Sequence, residues 1–77
     1  MNWDEISGNW KQLQGKAREK WGDLTDDDMT KIGGKKDQLV GTLQEKYGHT
    51  KEAAGQAADD WAESLKNEAD EQKRQAS

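Results

Sequence analysis

Few residues of this chain have the type and spacing that chemistry requires. The acidic run Asp26-Asp27-Asp28 is the densest group of candidate ligands. Calcium loops alternate their ligands around a turn glycine, as in Asp-x-Asp-x-Asp-Gly. Here the carboxylates are contiguous and no such glycine follows. Thr25 stands directly before them and Asp28 lies three residues on, which is the spacing of a capping box. The run therefore reads as a helix start, with Thr25 as N-cap and its carboxylates at the positive end of the helix dipole. His49 is the single histidine, and there is no cysteine. A structural zinc site needs four such ligands, so His49 reads as a solvated loop residue after Gly48. Ser7, Ser64 and Ser77 have no adjacent base, and no Gly-x-Ser-x-Gly turn occurs. The expectation is no enzyme, no metal and no other cofactor.

One basic segment remains. Ile32-Gly33-Gly34-Lys35-Lys36 superficially resembles a phosphate-binding turn, which makes Lys35 and Lys36 the candidate binding residues. A helix–glycine–helix hairpin can offer backbone N–H groups to DNA phosphates. The overall charge opposes this. Twelve Lys and Arg face sixteen Asp and Glu, for a net charge of −4 and an isoelectric point near 4.9. Counterion release, which carries nucleic-acid affinity, needs the opposite balance. Nucleic acid is thus a disfavoured partner. A protein partner reached through exposed tryptophan, or weak self-association, is the interaction left open.

These residues must be positioned by a small scaffold. The chain has 77 residues, enough for one small core and no second one. Charged residues make up 36% and hydrophobic ones 30%, with a mean hydropathy of −1.36. No run approaches the ~18–20 apolar residues of a membrane span, and no signal peptide is read. With no cysteine to oxidise, a cytoplasmic location is expected. Charge balances up to residue 51, so the whole net charge falls in residues 52–77. This divides the chain into a core of residues 1–50 and an acidic, Ala-rich C-terminal helix of residues 51–77, fraying after about 66.

The core is built on an internal repeat. Residues 6–22 and 32–48 align at an offset of 26 with eight identities in 17 positions, and Trp21 matches Tyr47. Two copies of one helical unit, neither able to bury its apolar face alone, account for this. Trp10, Leu13, Ala17 and Trp21 follow one helix face, as do Ile32, Leu39, Leu43 and Tyr47, with Val40 beside them. Nothing alternates with period two. The fold class is all-α, a small bundle of about four short helices. Its core is expected from Trp10, Leu13, Trp21, Ile32, Leu39, Leu43 and Tyr47. In the C-terminal helix, Ala54, Ala58, Trp61 and Leu65 form a narrow stripe.

Glycine is abundant and proline absent. Seven of the eight glycines keep heptad spacing: Gly8, Gly15 and Gly22, then Gly34, Gly41, Gly48 and Gly55. Their face lies opposite the core stripes, so no close approach at the core is expected of them. Gly33-Gly34 marks a break after a short helix at 26–32. Gly22 and Gly48 are placed as C-terminal caps. Gly15 and Gly41 fall inside helices, where each costs about 1 kcal/mol relative to alanine.

The motifs Gly-x-x-x-Gln-x-x-Gly-Lys at 8–16, Trp-Gly-x-Leu-Thr-Asp-Asp-Asp at 21–28 and Gly-x-x-x-Gln-Leu-x-Gly at 34–41 occur in order. Together they resemble the CsbD-like family of small bacterial stress-response proteins, from about Asp4 to Ala57. Gly33 departs from the family pattern, which has an acidic residue at that place. The resemblance implies a cytoplasmic protein, abundant under general stress, in which two helical hairpins pack across each other. It implies no catalytic or ligand residues. The stretch 51–60 also resembles the Ala-rich repeats of late-embryogenesis-abundant proteins, and high glycine with low hydropathy marks hydrophilins. Ordering of this tail on dehydration or binding is the corresponding expectation.

Overall fold

In the computed structural model, the backbone of residues 2–76 and the side chains of residues 2–66 are described. Among them are five helices and no strand: α1 (Trp3–Gly8), α2 (Trp10–Lys20), α3 (Asp26–Ile32), α4 (Lys36–Tyr47) and α5 (Lys51–Ala76). The expected fraying after residue 66 lies outside the described side chains.

Three helices start on a side-chain cap, which supplies an acceptor for an otherwise orphaned N–H. Asn2 accepts from the Glu5 backbone N–H at 2.8 Å, and the Glu5 carboxylate reaches back to the Asn2 N–H. Thr25 Oγ1 accepts from the Asp28 N–H at 3.2 Å, while Asp28 accepts from the Thr25 N–H at 3.0 Å. Thr50 Oγ1 accepts from the Ala53 N–H at 3.1 Å.

The repeat is resolved into two helical hairpins. α1 and α2 make the first, with Asn9 alone between them, and α3 and α4 make the second across Gly33–Lys35. The 26-residue offset therefore relates a helix–turn–helix to a helix–turn–helix. The two turns meet. Ser7 Oγ donates to the Gly33 carbonyl at 3.3 Å, a pair 26 residues apart. A Cβ on Gly34 would lie 2.6 Å from Ser7 Cα and 3.0 Å from the Ile6 carbonyl oxygen. Gly34 is thus where one backbone rests on the other. This corrects the expectation that no heptad glycine serves close approach at the core. The helix-face argument failed there because Gly34 is not helical: it stands in the turn at φ 81°.

Gly22 is a second correction. α2 ends on Trp21, at φ −125° and ψ 81°, and the Trp21 N–H closes onto the Ala17 carbonyl. Gly22 does not enter the left-handed region, which among the described residues only Gly33, Gly34 and Gly48 occupy. The helix closes one residue earlier than expected, on Trp21, whose buried ring packs against Trp61. Gly48 does cap α4, at φ 68°, with its N–H on the Gln44 carbonyl.

One core serves all five helices. Trp10, Leu13, Trp21, Ile32, Leu39 and Leu43 are buried, and Tyr47 packs against them half-buried. Ile6, Leu24 and Met29 join from α1, the α2–α3 connection and α3. From α5 come Ala54, Ala58, Trp61, Ala62 and Leu65. The charge boundary near residue 51 is therefore not a packing boundary.

Candidate functional site

The most specific constellation in the molecule is aromatic. Trp61 on α5 is ringed by the three other tryptophans. Its ring centroid lies 6.2 Å from Trp3, 6.1 Å from Trp10 and 5.6 Å from Trp21, with tilted to edge-on geometry. Such geometry sets the positive edge of one ring on the negative face of another, worth about 0.5–1.5 kcal/mol per pair beyond burial. Trp10 Nε1 is satisfied by the Met29 carbonyl at 2.7 Å, which also ties α2 to α3. No tryptophan is exposed. The expectation of a partner surface made of exposed tryptophan is thereby overturned: the rings pack on one another, with Trp10, Trp21 and Trp61 buried and Trp3 half-buried.

Lys35 and Lys36 sit at the start of α4. Lys35 is the N-cap and exposed. Lys36 turns toward α5, with Nζ 2.8 and 3.0 Å from the two carboxylate oxygens of Asp59. The Lys36 ammonium, with help from Trp3, holds the Asp59 carboxyl below its ordinary value. Lys36 is thus engaged in fastening α5, whereas a phosphate site would need its charge free. The turn between Gly33 and Lys35 also faces Ser7 rather than open water.

The acidic run is distributed among structural duties. Asp28 is held below the ordinary aspartate value first by the Thr25 backbone N–H, with the Thr25 hydroxyl and Lys46 adding to it. Lys46 Nζ stands 3.4 Å from Asp28 and so links α4 to α3. Asp26 pairs with Arg18 of α2. Among the described residues, no three His, Cys, Asp or Glu side chains gather as metal ligands would. His49 stacks on the Tyr47 ring at 5.8 Å and 14° and is exposed. The Tyr47 hydroxyl accepts from the Asp23 N–H, closing one end of the bundle. Between α4 and α5 runs an open groove lined by Lys36, Asp37, Gln44 and Lys51 over Gly41 and Gly55. Its ammonium, carboxylate and amide groups meet water, and hydration and ion pairing are the chemistry available there.

The paired hairpins, with their crossing glycine and capped Thr25–Asp28 turn, coincide with a known family model. The CsbD-like model matches residues 4–56. The chain belongs to the CsbD-like family. The UPF0337 protein of Pectobacterium atrosepticum is 62% identical over 61 residues, covering 79% of this chain and 88% of its own length. The UPF0337 protein YjbJ of Escherichia coli K12 is 61% identical over the same shares. A UPF0337 protein of Pseudomonas aeruginosa is 54% identical over 65 residues, 84% of this chain and all of the relative. The CsbD-like match ends at residue 56, yet Trp61 and Leu65 complete the core. Trp61 was read in the sequence only as part of a narrow stripe. Its role as common neighbour depends on where three distant tryptophans are brought, which no local pattern carries. No helix among the described residues is long and apolar enough to cross a membrane.

Proposed function

We propose that this CsbD-like chain is a non-enzymatic, hydrophilic stress-response protein of the cytoplasm that protects other macromolecules. The observation that carries this reading is the division between its inside and its outside. No large hydrophobic side chain among the described residues is exposed. Charged residues meanwhile make up 36% of the chain, with net charge −4. Such a surface keeps its own hydration and offers partly unfolded proteins no apolar patch on which to nucleate. At high concentration it adds hydrated volume between labile proteins without entering their aggregates. The stress-response association implied by the family resemblance points the same way. Because α5 is already helical from Lys51 to Ala76, the reading rests on the surface of the folded chain and not on further ordering of its tail as water is withdrawn.

The test is a freeze–thaw series on an aggregation-prone enzyme, with this protein or an equal mass of serum albumin added. Lower light scattering and higher recovered activity than with albumin are expected. Protection no better than albumin contradicts the reading.

A further inference from the structure

The apolar residues keep a single helical phase through the turn that separates α4 from α5. Leu39, Leu43 and Tyr47 are followed by Ala54, Ala58, Trp61 and Leu65, with Thr50 in the one intermediate place. The successive spacings are 4, 4, 3, 4, 4, 3 and 4, those of one face of an unbroken helix. Gly41, Gly48 and Gly55 keep their own seven-residue phase across the same turn. A hairpin does not require this, since two helices joined by a turn can each choose a phase.

The turn itself is held by little. It consists of Gly48, His49 and Thr50. Gly48 is left-handed at φ 68°, and a Cβ there would meet nothing within 4 Å. His49 rests on Tyr47, and Thr50 caps α5. The α3–α4 turn contrasts with it. There Gly34 is pressed onto the Ser7 backbone, so packing locks the bend. At Gly48 no such packing locks the bend, which rests on the left-handed conformation, the Gly48 N–H on the Gln44 carbonyl and the Thr50 cap, and no proline forbids a straight helix.

We propose that Gly48–Thr50 is a hinge with a second arrangement. In it α4 and α5 join as one helix, and α5 seats its Ala54–Leu65 face on the Trp3, Trp10 and Trp21 surface of a second copy of this chain. The occupant is defined by the fold: α5 already fills that surface in its own chain, so the same rings, and the same Lys36–Asp59 pair, form between copies. Reciprocal exchange gives a closed twofold dimer with no new interface required. What differs between the two arrangements is the hinge conformation and the protein concentration.

Two substitutions push the hinge in opposite directions. Gly48→Ala strains the left-handed bend and favours the straight helix. Lys51→Pro places proline at the first position of α5, where the closed form accepts it and a continuous helix does not. The experiment is size-exclusion chromatography with light scattering over a concentration series, on wild type and both variants. The expected result is a dimer fraction in wild type that grows with concentration, rises at least tenfold in Gly48→Ala and vanishes in Lys51→Pro. Because the chain has no cysteine, a Lys36→Cys plus Asp59→Cys version treated with a bismaleimide reports which chains are joined. Links between chains in the dimer fraction support exchange, and links confined within single chains overturn it. A folded Gly48→Ala that stays monomeric at every concentration also overturns it. Should Gly48→Ala fail to fold, wild type against Lys51→Pro decides: a dimer lost in the proline variant supports the hinge, and a dimer unaffected or absent in wild type overturns it.

Discussion

Gly34 and the glycines inside the helices look alike in sequence and do opposite things. A Cβ on Gly34 would strike the Ser7 backbone, and its φ of 81° is unfavourable for any L side chain. Gly34→Ala is therefore expected to cost roughly 2–4 kcal/mol, read as a fall in the urea midpoint. At Gly15 and Gly41 an added methyl meets nothing within 4 Å. Gly15→Ala plus Gly41→Ala is expected to stabilise by about 0.5–1 kcal/mol each, raising the melting temperature on the order of 5–10 °C with the fold unchanged. The heptad spacing was legible, but which glycine is indispensable was not, because the contact joins residues 27 apart in the chain. Asp28 adds a pH dependence. Its folded value is lowered, first by the Thr25 N–H. Its stabilisation is therefore present above the ordinary value near 3.8 and lost as pH falls through the folded value. Asp28→Asn is expected to flatten that acid limb in thermal melts below about pH 4, while keeping an acceptor for Thr25.

At the scale of elements, the capping boxes and stripes were legible because they are local. Thr25 with Asp28, and the faces of α2 and α4, need only a few turns of sequence to declare themselves. Thr25→Ala removes one acceptor from the start of α3 and is expected to cost about 1 kcal/mol in chemical denaturation. The helix α1 was not separated from α2 in the sequence. At six residues it is too short to show a period, and the break at Asn9 follows Gly8 without a proline or a left-handed glycine to mark it. Its capping pair Asn2 and Glu5 was the available signal. α5 shows the same limit from the other side. Its stripe was visible, but its acidic composition set it apart from the hairpins it closes.

For the whole molecule, charge and packing divide the chain differently. Net charge separates residues 52–77 from the rest, and the core does not. Trp61 lies beyond the span that the family model covers, yet every other tryptophan touches it. The α5 helix is then a structural part of the bundle, and the hairpins alone would expose Trp3, Trp10 and Trp21. Removing the Trp61 ring should cost about 3–5 kcal/mol, most of the stability a chain of this size commands. The most direct test is urea unfolding of the intact chain and of Trp61→Ala, followed by tryptophan fluorescence and by far-ultraviolet circular dichroism. The expected result is one coincident transition by both probes in the intact chain, with Trp61→Ala largely unfolded before urea is added. Two separated transitions, or a Trp61→Ala midpoint equal to that of the intact chain, would contradict a single core closed by α5.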